Sequence, residues 1–162
     1  MTVQPSGREQ PWSDEMPQKG RILVLSANPV SAAIAVIGRA VGREVVVLSD
    51  DDAGPGLAAL TPVEGDAVVL CDHDAPDAAQ FLLDALASPA SYVAMLASRS
   101  RSERLLADLG AAGAPGLETL HVPAGHNLGG RGAGEIALSV VAEIVAESYG
   151  CPGGPMRAGP VR

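Results

Sequence analysis

The sequence predicts a single α/β domain with a doubly wound, mainly parallel Rossmann-like sheet and helices on both faces. Short aliphatic runs at Arg21–Leu25, Val45–Leu48, Ala67–Cys71, Tyr92–Leu96 and Thr119–Val122 alternate with stretches of helical periodicity, as βαβ crossovers require. The runs are apolar on both sides of the pleat, which suits strands covered on both faces. Hydrophobic residues make up 47% of the chain but aromatics only 2%, so the core must be built from Ala, Val, Leu and Ile. These small side chains let helices pack closely onto a sheet.

The 162 residues suffice for one domain. Residues 1–20 and 150–162 are rich in Pro, Gly and charge and read as poorly ordered tails around a domain at 21–149. Within it, the first strand is followed by Pro29–Val41, with Asn28 in the N-cap position and Pro29 in the first helical turn. The second strand ends in Asp50-Asp51-Asp52, and Gly54–Gly65 reads as a short helix or a loop. The third strand ends in Asp72-His73-Asp74. Helical Pro76–Ala87 then leads through Ser88-Pro89 to the fourth strand. Ser100 and Glu103 match a capping box, which starts the next helix there and ends it near Leu109. After the fifth strand, Gly132 and Glu135 imitate a cap for a final helix that ends near Ser148. That helix is apolar almost all round and is expected to be largely buried. Right-handed crossovers, with a switch point between the first and fourth strands, place the strand at Ile22 centrally, beside those at Val45 and Tyr92.

The formal net charge of −8 disfavours a surface that tracks nucleic-acid phosphates. Cys71 and Cys151 form no CxxC and have no metal-ligand spacing, which fits a reducing compartment. Met1–Gly20 holds no apolar signal core, and no segment offers the roughly 18 apolar residues of a membrane span. A cytoplasmic protein with no membrane partner is expected, and homo-oligomerisation is left open.

Ligands of open α/β sheets bind outside the carboxyl ends of the strands. That rule selects Ser26, Ala27 and Asn28 after the first strand, Asp50 and Asp51 after the second, and Asp72 and His73 after the third. It also selects Ser98 and Arg99 after the fourth, and Gly125, His126, Asn127, Gly130 and Arg131 after the fifth. The first loop lacks the glycines of G-x-G-x-x-G, which normally bring backbone close to a pyrophosphate. Asn28 can still cap the helix and also tolerates a left-handed backbone. Asp50 and Asp51 stand where a Rossmann acid contacts ribose hydroxyls, although a solvated acidic turn explains them equally well. Arg99 and Arg131 each stand between a strand end and a helix start, where guanidinium and free N–H groups attract anions, and they are expected to face one crevice. His121 falls inside the fifth strand and reads as a core or edge residue, and Cys71 as a buried small hydrophobe. A metal site from Asp72, His73, Asp74 and His126 finds no support in motif spacing, and no G-x-S-x-G elbow marks a hydrolase.

Three segments, Asp66–Asp74, Ser88–Arg99 and Gly129–Ile144, together resemble the Rossmann-type C-terminal domain of the xanthine dehydrogenase accessory (XdhC/CoxI) family. The similarity covers most of residues 21–146, and Glu135-Ile136-Ala137-Leu138-Ser139 followed by Ala142-Glu143-Ile144 is its most specific part. The resemblance implies an accessory factor that helps insert or sulfurate the molybdenum cofactor of a xanthine or carbon monoxide dehydrogenase type hydroxylase. A molybdopterin-type cofactor and the molybdenum hydroxylase apoenzyme are then the expected ligand and partner. The family's glycine-rich first loop is here Ser26–Ser31, its Gly-Ser-Arg after the fourth strand is Ala97-Ser98-Arg99, and its separate N-terminal domain has no counterpart in the chain. The alternatives are an NAD(P)-dependent oxidoreductase or nucleotide sensor, and an interaction domain with a decayed pocket. No residue supplies an evident catalytic acid, base or hydride-positioning group, which weighs against an enzyme.

Overall fold

The computed structural model describes Trp12 and residues 19–49, 53–72, 74–75 and 77–159. Five parallel strands, β1 (Ile22–Leu25), β2 (Val45–Leu48), β3 (Ala67–Leu70), β4 (Tyr92–Met95) and β5 (Leu120–His121), form one sheet in the order β2-β1-β3-β4-β5. Five helices lie between and after them: α1 (Pro29–Ala40), α2 (Ala53–Leu60), α3 (Ala78–Ala87), α4 (Arg99–Ala111) and α5 (Ala133–Ser148). The segment expected as helix or loop therefore contains α2, and Asp50, Asp51, His73 and Pro76 lie outside the described residues.

Strand alternation sorts the core into two layers. Leu23, Leu25, Val68, Leu70, Val93 and Met95 point to one face, against Leu57 of α2, Phe81 and Leu82 of α3, and Leu109 of α4. Ile22, Val24, Ala67, Val69, Tyr92 and Ala94 point to the other, against Ile34 of α1 and Ala137, Val140 and Ile144 of α5. Burying each such side chain fully contributes about 1.5–3 kcal/mol, so a shift of one residue in register would be prohibitively costly. All four residues of β1, β3 and β4 are buried, whereas β2 and β5 at the edges are partly exposed.

The strand order departs from expectation at one point. β1 is flanked by β2 and β3, and β4 pairs with β3 rather than with β1. The switch point accordingly lies between β1 and β3. Crossover handedness accounts for the layout: the chain steps outward from β1 to β2 through α1 on one face. It then returns past β1 to β3, β4 and β5 through α2, α3 and α4, and a right-handed crossover in that opposite direction requires the opposite face. α5 follows the last strand and comes back to cover the face that α1 leaves half bare. Its buried residues are Ala137, Ser139, Val140, Val141, Glu143 and Ile144, while Leu138 is half exposed, so its apolar surface is not wholly enclosed.

One local reading, the start of α4, is also corrected. α4 begins at Arg99 under a Ser98 cap whose Oγ accepts from the Arg101 amide at 3.4 Å, not under Ser100. Asn28 is extended, with φ −150°, and the left-handed residue of the first loop is Ser26, with φ 83°.

Candidate functional site

The carboxyl ends of the strands carry the loops that the sequence singles out, and neighbouring loops are stitched together. Asn28 caps α1 by accepting from the Val30 and Ser31 amides, both at 3.0 Å, while Ser31 Oγ accepts from the Asn28 amide at 2.8 Å. The other end of the Asn28 carboxamide donates to the Cys71 carbonyl at 3.3 Å, which joins the loops on either side of the switch point. Two amides that a phosphate would use at this helix terminus are thus already satisfied by the protein's own side chain. Ala27 is exposed and Ser26 is buried beneath it.

After β3, Cys71 is buried, and burial together with Asp72 pushes its thiol up to about 12, so it stays protonated and unreactive at neutral pH. Asp72 Oδ1 accepts from the Asp74 amide at 2.9 Å. Arg101 reaches Asp74 at 3.0 and 3.1 Å in an exposed pair, and both line a surface cavity of about 490 Å³ with Ser100, Arg104 and Asp108. Ser98 and Arg99 are exposed. Arg99 lines neither this cavity nor the one beyond β5, so the structure does not bring Arg99 and Arg131 to a common described cavity.

The loop after β5 is the most developed of the five. The Ala124 amide donates to Met95 O at 2.9 Å and the His126 amide to Ser139 O at 3.2 Å, which clamps the loop between β4 and α5. Gly125, at φ 97°, passes so close to Ser139 that a Cβ there would run into its hydroxyl. At the foot of α5 the Gly132 amide donates to Glu135 Oε2 at 3.1 Å, the cap that the sequence suggests. His126, Asn127, Gly130, Arg131, Ile136 and Ser139 take part in lining a cavity of about 420 Å³. Among the described residues, His126 Nε2 is the one buried side-chain nitrogen or oxygen without a hydrogen-bond partner. It lies under Gly153, whose φ is 75° and where a Cβ would collide with the imidazole. The chain beyond α5 thus folds back to reach this loop.

Sequence reasoning missed one polar cluster. Glu143 Oε1 accepts from the Tyr92 hydroxyl at 2.9 Å and lies 2.7 Å from His121 Nδ1, while the Tyr92 and His121 rings stack at 4.5 Å. A carboxylate inside the buried stripe of α5 was the available signal, since such a group needs partners. Burial, and then Glu143, push the Tyr92 phenol far up, so it acts as a donor only. Among the described residues no group of three or more His, Cys, Asp or Glu side chains could hold a metal ion, and no helix is long and apolar enough to cross a membrane.

These features define a Rossmann-like α/β domain whose strand-end loops carry polar, glycine-containing and cationic residues. The chain belongs to the XdhC Rossmann domain family, which it matches over residues 22–144. It is similar in fold to a solved protein of Bacillus halodurans described as a xanthine dehydrogenase, with a TM-score of 0.66 and 21% identity. The match covers 86% of this chain and 46% of that one, so the chain spans about half the length of this structural relative. No curated protein matches the chain.

Proposed function

We propose that the chain is an accessory protein for maturation of a molybdenum hydroxylase of xanthine or carbon monoxide dehydrogenase type, and that it holds a molybdopterin or nucleotide-like cofactor at the strand ends. Membership of the XdhC Rossmann family supports the accessory role. The observation that carries the ligand reading is the loop after β5, where Arg131, Asn127 and His126 line one cavity of about 420 Å³ beside the start of α5. Arg131 would hold an anionic group of the cofactor and Asn127 a neighbouring polar one. Ser98, Arg99 and Asp72 stand on adjacent loops as secondary contacts. The cofactor's redox chemistry is exercised in the partner enzyme, and this chain's task is to bind and orient.

The first loop favours a second reading. With the α1 amides taken by Asn28, the pyrophosphate of a dinucleotide, whether NAD(P) or molybdopterin dinucleotide, has no ready seat there, which suits an interaction domain whose pocket has decayed. Mass spectrometry of small molecules retained on native purification, followed by calorimetry with molybdopterin dinucleotide and with NAD, separates the readings. Arg131→Ala should weaken binding about 10–100-fold, the usual loss for one charge-assisted contact, with Arg99→Ala as the parallel test of the neighbouring loop. Folded variants that bind as the unaltered protein does, or a protein that binds neither ligand, would favour the interaction domain.

A further inference from the structure

The opposite end of the sheet holds a third cavity, of about 490 Å³, where the strands begin and α5 ends. Lys19, Arg43, Glu64, Ser91, Tyr92 and Glu147 are among the residues that line it. Arg43 is only 4% exposed, yet it takes part in none of the ion pairs among the described residues. Its one side-chain hydrogen bond among the described residues runs from Nη1 to the Gly20 carbonyl at 3.2 Å. A guanidinium offers five N–H donors, so most of them have no protein acceptor. Among the described residues the one fully buried, unpartnered side-chain nitrogen or oxygen is His126 Nε2, so the remaining Arg43 donors keep some access to solvent, and Arg43 lines the cavity.

One strand away, at the start of β1, the same end of the sheet provides the contrast. Arg21 is neutralised by Asp66 at 2.7 Å, whereas Arg43 carries its charge inside with no carboxylate against it. A buried cation lacking a counter-charge is strongly unfavourable, and burial lowers its pKa with only Tyr149 opposing the shift. Lys19 adds a second positive group at the rim, its Nζ 4.0 Å above the Tyr149 ring.

We propose that this cavity is a binding site for a small carboxylate, gripped by the cavity-facing edge of the Arg43 guanidinium with the Lys19 ammonium at the mouth. A planar carboxylate matches the guanidinium fork. Glu64 and Glu147 line the same space and repel a dianion, which selects a single negative charge over phosphate. They also accept hydrogen bonds, as does the carbonyl end of α5, so the favoured carboxylate carries a hydroxyl or amino group at its other end. The volume suits a small molecule. The site is independent of the loops beyond β1–β5 and of the cofactor reading above.

The test is a titration of the whole chain with glycolate, glycine, acetate and inorganic phosphate at constant ionic strength, read by the Arg43 Nε–H resonance in nitrogen-15 NMR and by thermal midpoint. Glycolate or glycine should give a saturable shift of that resonance and raise the midpoint, acetate should bind more weakly, and phosphate should bind least. Lys19→Gln, at the rim, should keep the fold and weaken binding several-fold. Arg43→Gln should weaken it at least tenfold and, should it fail to fold, Lys19→Gln and the wild-type resonance still decide. The carboxylate assignment falls if phosphate binds as well as glycolate. The site itself falls if no anion moves the Arg43 resonance, or if Lys19→Gln leaves every titration unchanged.

Discussion

Arg21 and Asp66 hold each other by backbone and side chain together: the Arg21 amide donates to Asp66 Oδ1 at 2.9 Å and Nη2 donates to Oδ2 at 2.7 Å. The Val63 amide adds a further bond at 3.0 Å, so one buried carboxylate fixes the start of β1 against the turn entering β3. Burial by itself pushes the Asp66 carboxyl up, but these donors and the Arg21 charge outweigh it and hold it below its usual value.

A carboxyl lowered in the folded state stabilises the fold above its unfolded pKa of about 3.9 and loses that contribution as pH falls through the lower folded value. Urea unfolding of the wild type and Asp66→Asn should differ by about 3 kcal/mol at pH 7, as expected when one partner of a buried pair is removed. The gap should narrow progressively below about pH 4. A constant difference down to strong acid would show that the pair adds no pH-dependent stability.

Tyr92→Phe removes one of the two groups on Glu143 Oε1 and leaves the carboxylate, 8% exposed in total, to His121. A loss of about 1–3 kcal/mol follows from an unsatisfied buried acceptor. In a Tyr149→Phe background the phenolate absorbance of Tyr92 should rise only as the protein unfolds in alkali. Ionisation well before unfolding would contradict the buried hydrogen bond.

Asn28→Gly should leave the fold intact at a cost of a few tenths of a kcal/mol, because glycine is a tolerated N-cap. The exchange releases the Val30 and Ser31 amides and the tie to Cys71 O. Calorimetry should then detect tighter binding of a nucleotide diphosphate than in the wild type. Equal or weaker binding would exclude the first loop as a phosphate seat.

Gly153→Ala places a methyl group against the His126 imidazole at a backbone angle that alanine resists. The expected outcome is detachment of residues 151–159 while α5 and the sheet stay folded. Hydrogen exchange of this segment and the His126 ring resonances should both respond. Unchanged resonances would mean that the glycine is not required for the contact.

All five strands, the Asn28 cap and the buried state of Cys71 were legible because each depends on a run of neighbouring residues. Strand order was less so: β1, β3 and β4 are equally buried and equally aliphatic, so nothing local says which of the last two lies beside the first. The start of α4 was misplaced because Ser98, Ser100 and Ser102 repeat at intervals of two, and tertiary position chose among three similar caps. At the site, polarity marked the right loops, but it could not show that Asn28 spends its carboxamide on the protein itself. Nor could it show that His126 faces a glycine far along the chain, or that Arg43 stands without the carboxylate that Arg21 has.

The Asn28 carboxamide makes the first loop a case of intramolecular competition. Its oxygen occupies the two α1 amides as a tethered group with an effective concentration on the order of millimolar or above, so a phosphate must displace it before making a single bond. Affinity at this terminus is therefore set by a difference between two acceptors rather than by the strength of either. The sensitive variable is the side chain at one position, and the rest of the βα unit can remain unaltered while the loop passes from closed to receptive.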